Sequence, residues 1–349
     1  MKICIFGAGA IGGLIAARLA TQAAVGAEVS VVARGAHLRA IREHGLRLRL
    51  RAADGGLHGE TSAARIRATD DAAELGVQDY VIVAVKTGSL AAALPGLRPL
   101  LGPDTVVVPA MNGVPWWFFQ GFGGPLDGMR LEGVDPQGAI AAALPLERVL
   151  SCVVYPTSYI AEPGRIQHTG RWDLHLGEPA AAPGAAPSAR LLKLQALLAQ
   201  AGFQCKVSAD IRSEIWLKLI GNASFNPVSA LSCATLDRML DDPELYALLE
   251  SLMEEVIGTG RALGLKLEET PRQRLEKGRP LGAVKFSMLQ DVEAGRTLEY
   301  EALTGAVLAV GRALNMRLPM LAAVHGLIRQ RDRRLAEAQK KTPEAAFAR

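Results

Sequence analysis

The strongest constraint on the fold lies at the start of the chain, where a short apolar run ends in a glycine-rich turn. The run KICIF is followed by the pattern GxGxxG, and the segment IGGLIAARLATQ has the character of a helix. The pattern comprises Gly7, Ala8, Gly9, Ala10, Ile11 and Gly12. Glycines here permit a tight turn, close approach of the backbone to a pyrophosphate and tight helix–strand packing, while the helix start presents N–H groups to the phosphates. This context predicts a strand–turn–helix unit that binds a dinucleotide.

The end of the next strand indicates which dinucleotide is bound. The strand EVSVVAR ends in Ala33-Arg34-Gly35, with no carboxylate close by in the sequence. Folds that prefer NAD place an Asp or Glu there to hold the ribose 2′-OH, whereas a guanidinium pairs well with a 2′-phosphate. Arg34 therefore predicts NADPH as the cofactor. The alternative interpretation is a solvated loop arginine.

Strand-like and helix-like segments alternate through the first half of the chain, which indicates an open parallel sheet covered by helices. From about Ile211 the strand signal stops, and long helical periods follow. A length of 349 residues suits two domains. The predicted class is α/β: a Rossmann-type dinucleotide-binding domain over residues 1–208 and an all-α substrate and catalytic domain over residues 209–335. Residues 336–349 are expected to form a frayed tail.

Composition argues against several classes of protein. A net charge of +4 does not suggest a nucleic-acid binder, and the basic run Arg329–Arg334 is better interpreted as a solvated helix end. The sequence has neither about 18 consecutive apolar residues nor a cleavable signal pattern, so we expect a cytoplasmic protein without a membrane partner. The cysteine and histidine spacings predict reduced thiols and no metal site.

Polar residues follow two further strands of the predicted sheet. Lys86 and Thr87 come after YVIVAV, and Asn112-Gly113 comes after TVVVPAM. Open α/β sheets bind ligands at the carboxyl ends of their strands, so both pairs are expected at the cofactor site. For Asn112 alone an ordinary turn is an equal alternative, because Asn-Gly is a common turn dipeptide.

A polar stripe interrupts an apolar segment early in the second half. Lys218, Asn222 and Asn226 recur every four residues in EIWLKLIGNASFNP and would share one face of a helix. A stripe facing a core is normally apolar, so this one is expected to line a reactive site. The alternative is that these groups satisfy backbone at a helix end where Pro227 forces a kink.

Further candidates occur in KFSMLQD and GRTLE. Ser287 and Asp291 would share a helix face, and Glu299 follows a turn marked by glycine. Asp291 and Arg296 are expected to cap a helix or form an ion pair. Glu299 is a candidate partner for Lys218.

Taken in order, these motifs resemble the ketopantoate reductase (2-dehydropantoate 2-reductase) family, from Met1 to about Ala336. The resemblance implies an NADP-dependent oxidoreductase acting on CH–OH groups. It would reduce the ketone of 2-dehydropantoate to (R)-pantoate, on the route to pantothenate and coenzyme A. It also implies that the substrate lies between a Rossmann domain and a helical domain. Helical domains of such reductases often pair, so a homodimer is the expected assembly if the chain is not a monomer.

The resemblance also implies roles for the candidate residues. Lys218 would be the general acid that protonates the ketone oxygen, and Glu299 would hold that lysine or contact the substrate diol. Asn112 would lie near the nicotinamide. The carboxylate and hydroxyl groups of the substrate would be bound by Asn222, Asn226 and Ser287. These roles agree with the chemistry, because hydride addition builds negative charge on oxygen that an ammonium stabilises.

Two features depart from the family pattern. Many members have another asparagine where this chain has Ala234-Thr235-Leu236, and the aromatic run Trp116–Phe119 precedes a glycine-rich insertion that extends through Pro136. These aromatics would either cover the substrate cleft, form a subunit contact or pack in the core. A reductase of another small 2-oxo acid, of hydroxyacid or opine type, is therefore an alternative. A non-catalytic NADPH sensor is a further one, although a sensor would need none of the polar residues of the second half.

Overall fold

The computed structural model describes residues 1–21, 26–51, 57–63, 66–182 and 184–341. The chain divides into two compact units. Of the described residues, one unit comprises Met1–Asn112 and Gly138–Ile211, and the other comprises Gly113–Gln137 and residues 212–341.

A five-stranded parallel sheet forms the centre of the first unit. Its strand order is β5-β2-β1-β6-β7, with β1 at Lys2–Phe6, β2 at Glu28–Val32, β5 at Arg67–Thr69, β6 at Tyr80–Val83 and β7 at Val106–Pro109. The helices of this unit are α1 (Ala10–Thr21), α2 (Gly35–His44), α3 (Leu90–Leu97), α4 (Ala139–Ala143) and α5 (Ala189–Gln200). The predicted Rossmann-type arrangement is confirmed.

The central strands are mostly apolar and are buried beyond the first residues of β1 and β2, because both faces of a parallel sheet are covered. Ile3, Ile5 and Val31 are each at most 1% exposed. Burying one such side chain stabilises the fold by about 1.5–3 kcal/mol. Cys4 lies between Ile3 and Ile5 on β1, and burial raises the pKa of its thiol to about 12.

Two smaller sheets complete the first unit. One has the order β4-β3-β10-β9, with β3 at Leu46–Arg51, β4 at Leu57–Ala63, β9 at Thr157–Glu162 and β10 at Arg165–Gly170. The other has the order β12-β11-β8, with β8 at Ser151–Val154, β11 at Asp173–Gly177 and β12 at Gln204–Val207. The β3–β4 pair was not predicted from the sequence. The alternation LRLRLR forms β3 because Leu46 and Leu48 are buried on one face while the arginines lie on the other.

The second unit is a helical assembly, as predicted from Ile211 onward. Its helices are α6 (Ile211–Ser232), α7 (Leu236–Asp241), α8 (Pro243–Ala262), α9 (Pro271–Gly278), α10 (Ser287–Glu293), α11 (Ala306–Ala313) and α12 (Pro319–Lys341). A π-helical turn, Glu301–Gly305, precedes α11. Within the described ranges no helix is both long and apolar enough to cross a membrane.

The predicted domain limits need two corrections. The segment Gly113–Gln137 belongs to the helical unit, because its aromatic side chains are buried there, so a single boundary near residue 209 is incomplete. The predicted tail begins too early, because α12 continues through residues 336–341. Residues 342–349 lie outside the described residues.

Candidate active site

The fold requires glycine at two positions of the glycine-rich turn, Gly7 and Gly12, because neither has room for a Cβ. Gly7 has φ +101°, and a Cβ there would lie 2.9 Å from the Ala84 carbonyl oxygen. A Cβ on Gly12 would overlap the carbonyl oxygen of Gly7. At Gly9, by contrast, a Cβ would meet no described atom within 4 Å. The backbone at Gly9 therefore borders open space beside the start of α1, where the first N–H groups have no partner within the helix.

Strand register brings the cofactor candidates to one edge of the sheet. Phe6 of β1 is paired with Val32 of β2 and Val83 of β6, and Val83 is paired with Pro109 of β7. The residues that follow these four positions emerge together at the carboxyl ends of the strands. They include the turn Gly7–Gly12, Arg34, Lys86 and Asn112.

Arg34 lies at this edge as the residue before α2. Its side chain is exposed and forms no capping hydrogen bond to that helix. The backbone N–H groups of Gly7 and Ala8 both donate to the Val32 carbonyl oxygen, at 3.1 and 3.2 Å. The turn and the end of β2 are therefore fixed to each other, with an arginine at their rim.

The two polar strand ends are also linked. The buried Thr87 hydroxyl donates to the Asn112 carbonyl oxygen at 3.1 Å, and Ser89 N–H donates to the Lys86 carbonyl oxygen at 2.8 Å. The first of these bonds joins the VKT and MNG motifs across 25 residues of sequence. The two motifs therefore lie side by side, and their place at the cofactor site stays a prediction.

The predicted polar stripe lies on one helix of the second unit. Lys218, Asn222 and Asn226 are all on α6, and the Asn226 amide donates to Asn222 Oδ1 at 3.4 Å. The helix continues past Pro227 to Ser232. The three side chains therefore lie before the last turn of α6, and their place in a reactive site stays a prediction.

Asn226 joins this stripe to α10. Asn226 is only 4% exposed, and its Oδ1 accepts hydrogen bonds from Ser287 Oγ at 3.1 Å and from Met288 N–H at 3.3 Å. The structure thus brings Asn222, Asn226 and Ser287 together. On the same helix α10, the buried Asp291 carboxylate accepts a hydrogen bond from Arg296 Nε at 2.7 Å, as the predicted ion pair requires. The pairing of Glu299 with Lys218 stays a prediction.

The aromatic run is core of the helical unit. Trp117, Phe118 and Phe119 are at most 1% exposed, and the Phe118 ring lies 5.7 Å from that of Trp216 on α6. Arg212 donates to the Phe118 carbonyl oxygen at 2.8 Å and to that of Gln120 at 2.7 Å. Of the three interpretations left open, core packing is confirmed, and the packing supports the helix that carries Lys218.

Two models of one protein family match this sequence. The model described as "Ketopantoate reductase PanE/ApbA" matches residues 3–115, and that of its C-terminal part matches residues 210–332. The chain belongs to the ketopantoate reductase family. It is accordingly an oxidoreductase of that type.

Similar proteins span nearly the whole chain of this family member. The 2-dehydropantoate 2-reductase of Mesorhizobium japonicum is 46% identical over 330 residues, which cover 95% of this chain and 97% of the relative. A proposed ketopantoate reductase from Ralstonia solanacearum, solved as a crystal structure, has 45% identity and a TM-score of 0.85, covering 96% and 98% of the two chains. The 2-dehydropantoate 2-reductase of Geobacter metallireducens has 27% identity and a TM-score of 0.80, covering 95% and 99%.

Proposed function

We propose that this chain reduces the ketone of 2-dehydropantoate to (R)-pantoate with NADPH, a step on the route to pantothenate and coenzyme A. The observation that carries the proposal is the polar stripe on α6, linked through buried Asn226 to Ser287. A stripe of one amine and two amides in apolar surroundings suits a small, polar oxo acid. The 46% identical relative named 2-dehydropantoate 2-reductase supports this substrate.

The carboxyl edge of the parallel sheet fits a nicotinamide dinucleotide. The open space at Gly9 and the N–H groups that begin α1 suit a pyrophosphate. Exposed Arg34 would pair with a 2′-phosphate, which favours NADPH over NADH, and Lys86 and Asn112 would complete the cofactor site. When bound, NADPH supplies the hydride.

Lys218 would act as the general acid. As the ketone carbon gains a hydride, negative charge develops on the ketone oxygen. The Lys218 ammonium would stabilise this charge and donate its proton to the oxygen, giving the alcohol. Glu299 would orient the ammonium while leaving the proton on it, because a neutral lysine could not serve as the acid.

The substrate's carboxylate and hydroxyl groups would be bound by the amides and the hydroxyl of the site. Asn222 and Ser287 are each partly or fully exposed, whereas Asn226 is buried behind them and bonded to both. Asn226 would therefore contribute mainly by fixing its two neighbours. Buried, fully bonded polar groups hold a site in one geometry.

The substrate is tested by following NADPH oxidation with 2-dehydropantoate beside a panel of other 2-oxo acids. We expect turnover with 2-dehydropantoate to exceed that with every other acid. If another 2-oxo acid is reduced and 2-dehydropantoate is not, the assignment of 2-dehydropantoate as the substrate is refuted, whereas the proposed reaction class stands.

The general acid is tested with Lys218→Ala, matched by Lys193→Ala on the exposed face of α5. Loss of a general acid lowers kcat by about 10²–10⁴-fold. We expect that loss for Lys218→Ala and none for the control. Near-normal turnover by Lys218→Ala would refute the mechanism.

A further inference from the structure

One face of α12 carries three polar residues at equal spacing. His325, Asp332 and Gln339 are each seven residues apart. Two turns of an α-helix contain about 7 residues, so the three side chains lie in one row along the helix.

All three contact the short segment that contains Glu299. Gln339 Nε2 donates to the Gly295 carbonyl oxygen, and the Leu298 N–H donates to Asp332 Oδ1 at 2.7 Å. His325 Nδ1 lies 2.9 Å from Thr304 Oγ1. The row therefore holds residues 295–304 at three successive points.

Glu299 lies between two of the held residues. Its predecessor Leu298 is fixed through the backbone by Asp332, and its successor Tyr300 packs its ring edge to face on His325 at 5.4 Å. Both neighbours of Glu299 are thus set by α12, which leaves the backbone at Glu299 little freedom to rotate.

The far end of the segment is closed by the π-helical turn. Gly305 N–H and Thr304 Oγ1 both donate to the Tyr300 carbonyl oxygen, at 3.1 Å. A Cβ on Gly133 would lie 2.7 Å from Glu301 Oε2, so the segment Gly113–Gln137 approaches the turn closely. Single π turns frequently occur at functional sites.

We propose that Asp332 and His325 are positioning residues that set the orientation of the Glu299 carboxylate during ketone reduction. The proposal rests on the role of Glu299 in the proposed function. Asp332 acts through the backbone of Leu298, and His325 acts through Tyr300 and Thr304. Neither is expected to touch the substrate. Because a misplacement of about 1 Å can lower a rate by about a hundredfold, loosening this segment should act on kcat.

The test compares Asp332→Ala with Asp332→Asn, whose amide oxygen can still accept the Leu298 N–H. Asp242→Ala is the matched control, since the Asp242 carboxylate accepts the Leu245 N–H at 2.9 Å at the start of α8. We expect Asp332→Ala to lower kcat about tenfold with little change in KM, and Asp332→Asn to restore most of it. Asp242→Ala should lower the melting temperature but leave kcat unchanged.

Each Asp332 variant is also measured in a Glu299→Gln background. There Asp332→Ala should lower kcat less than about twofold further, because the carboxylate that it positions is gone. If Asp332→Ala does not fold, His325→Phe replaces it, since it keeps a ring against Tyr300 and removes the bond to Thr304.

Three results overturn the proposal. Equal losses of kcat with and without the Glu299→Gln substitution would show that Asp332 does not act through the Glu299 carboxylate, while the proposed function stands. If Asp332→Asn does not restore kcat, the lost hydrogen bond from the Leu298 N–H is not the cause of the lower kcat. A wild-type kcat for Glu299→Gln would remove Glu299 from the proposed function, and the positioning role with it.

Discussion

Substitutions at Gly9 and Gly12 distinguish a glycine that a bound ligand would require from a glycine that the fold itself requires. The two glycines lie three residues apart in the same turn, yet only Gly12 is enclosed by protein. Replacing each by alanine adds the same methyl group. The expected effects on folding are opposite in sign, and weaker cofactor binding is expected from the methyl group at Gly9.

At Gly9 the methyl group would enter open space. Gly9 does not have a positive φ, and no described atom lies within 4 Å of an added Cβ. Gly→Ala at such a position stabilises a fold by about 0.4–1 kcal/mol, because the unfolded chain loses freedom. If a pyrophosphate occupies that space, the methyl group would obstruct it at a cost of about 1–3 kcal/mol, which weakens binding by about 5- to 150-fold.

At Gly12 the methyl group would collide with the turn. It would overlap the Gly7 carbonyl oxygen and lie 2.9 Å from the Ala84 Cβ. Carbon atoms pack best at about 3.5–4.0 Å, so α1 must move away from β1. We expect destabilisation of about 3 kcal/mol, at the upper end for overpacked sites.

Thermal unfolding and NADPH titration by fluorescence measure the two effects on the same samples. Gly9→Ala should melt at or above the wild-type temperature and bind NADPH weakly, and Gly12→Ala should melt well below it. A wild-type Kd for NADPH in Gly9→Ala would refute the argument that a ligand occupies this space. A stable Gly12→Ala would refute the steric argument.

Three further predictions follow from single side chains. Arg34→Ala should weaken NADPH binding by about 10- to 150-fold, which is the cost of losing a charged hydrogen bond, and should leave NADH binding nearly unchanged. Equal losses of affinity in titrations with both cofactors would refute the pairing of Arg34 with the 2′-phosphate. Burial raises the pKa of Glu301 above its ordinary 4.5. The protonated carboxyl therefore makes its full contribution to stability below pH 4.5, and this contribution declines as the pH rises and the group ionises. Glu301→Gln should therefore raise the melting temperature at neutral pH more than at acid pH, and a pH-independent effect would contradict this. Phe118→Ala should cost about 3–5 kcal/mol in denaturant unfolding, whereas a loss below about 1 kcal/mol would contradict its place in the core.

Local features were predictable from the sequence. The strand–glycine–helix start and the Asp291–Arg296 pair depend on residues that are near neighbours in the chain, so spacing was enough. The same holds for the stripe on α6, because helical periodicity alone puts residues four apart on one face. The parallel sheet followed from the alternation of apolar strands and helices.

Features that depend on distant partners were not predictable. The Ser287–Asn226 bond joins residues 61 positions apart, and no spacing rule relates them. The aromatic run gave three interpretations, since burial by α6 is a property of the packed unit. The run Arg329–Arg334 was interpreted as a solvated helix end, yet Asp332 within it accepts the Leu298 N–H. The homodimer stays a prediction.

Asn226 shows why such a contact matters for the site. A buried amide without partners costs free energy, and Asn226 satisfies that need only when α6 and α10 are in register. Slipping α10 by one residue would separate Asn226 Oδ1 from both the Ser287 hydroxyl and the Met288 N–H. The bonds that make burial of this amide tolerable therefore also fix Asn222 and Ser287 relative to each other. An apolar residue at position 226 would pack α6 on α10 in several registers, and the polar groups offered to a substrate would lose their fixed spacing.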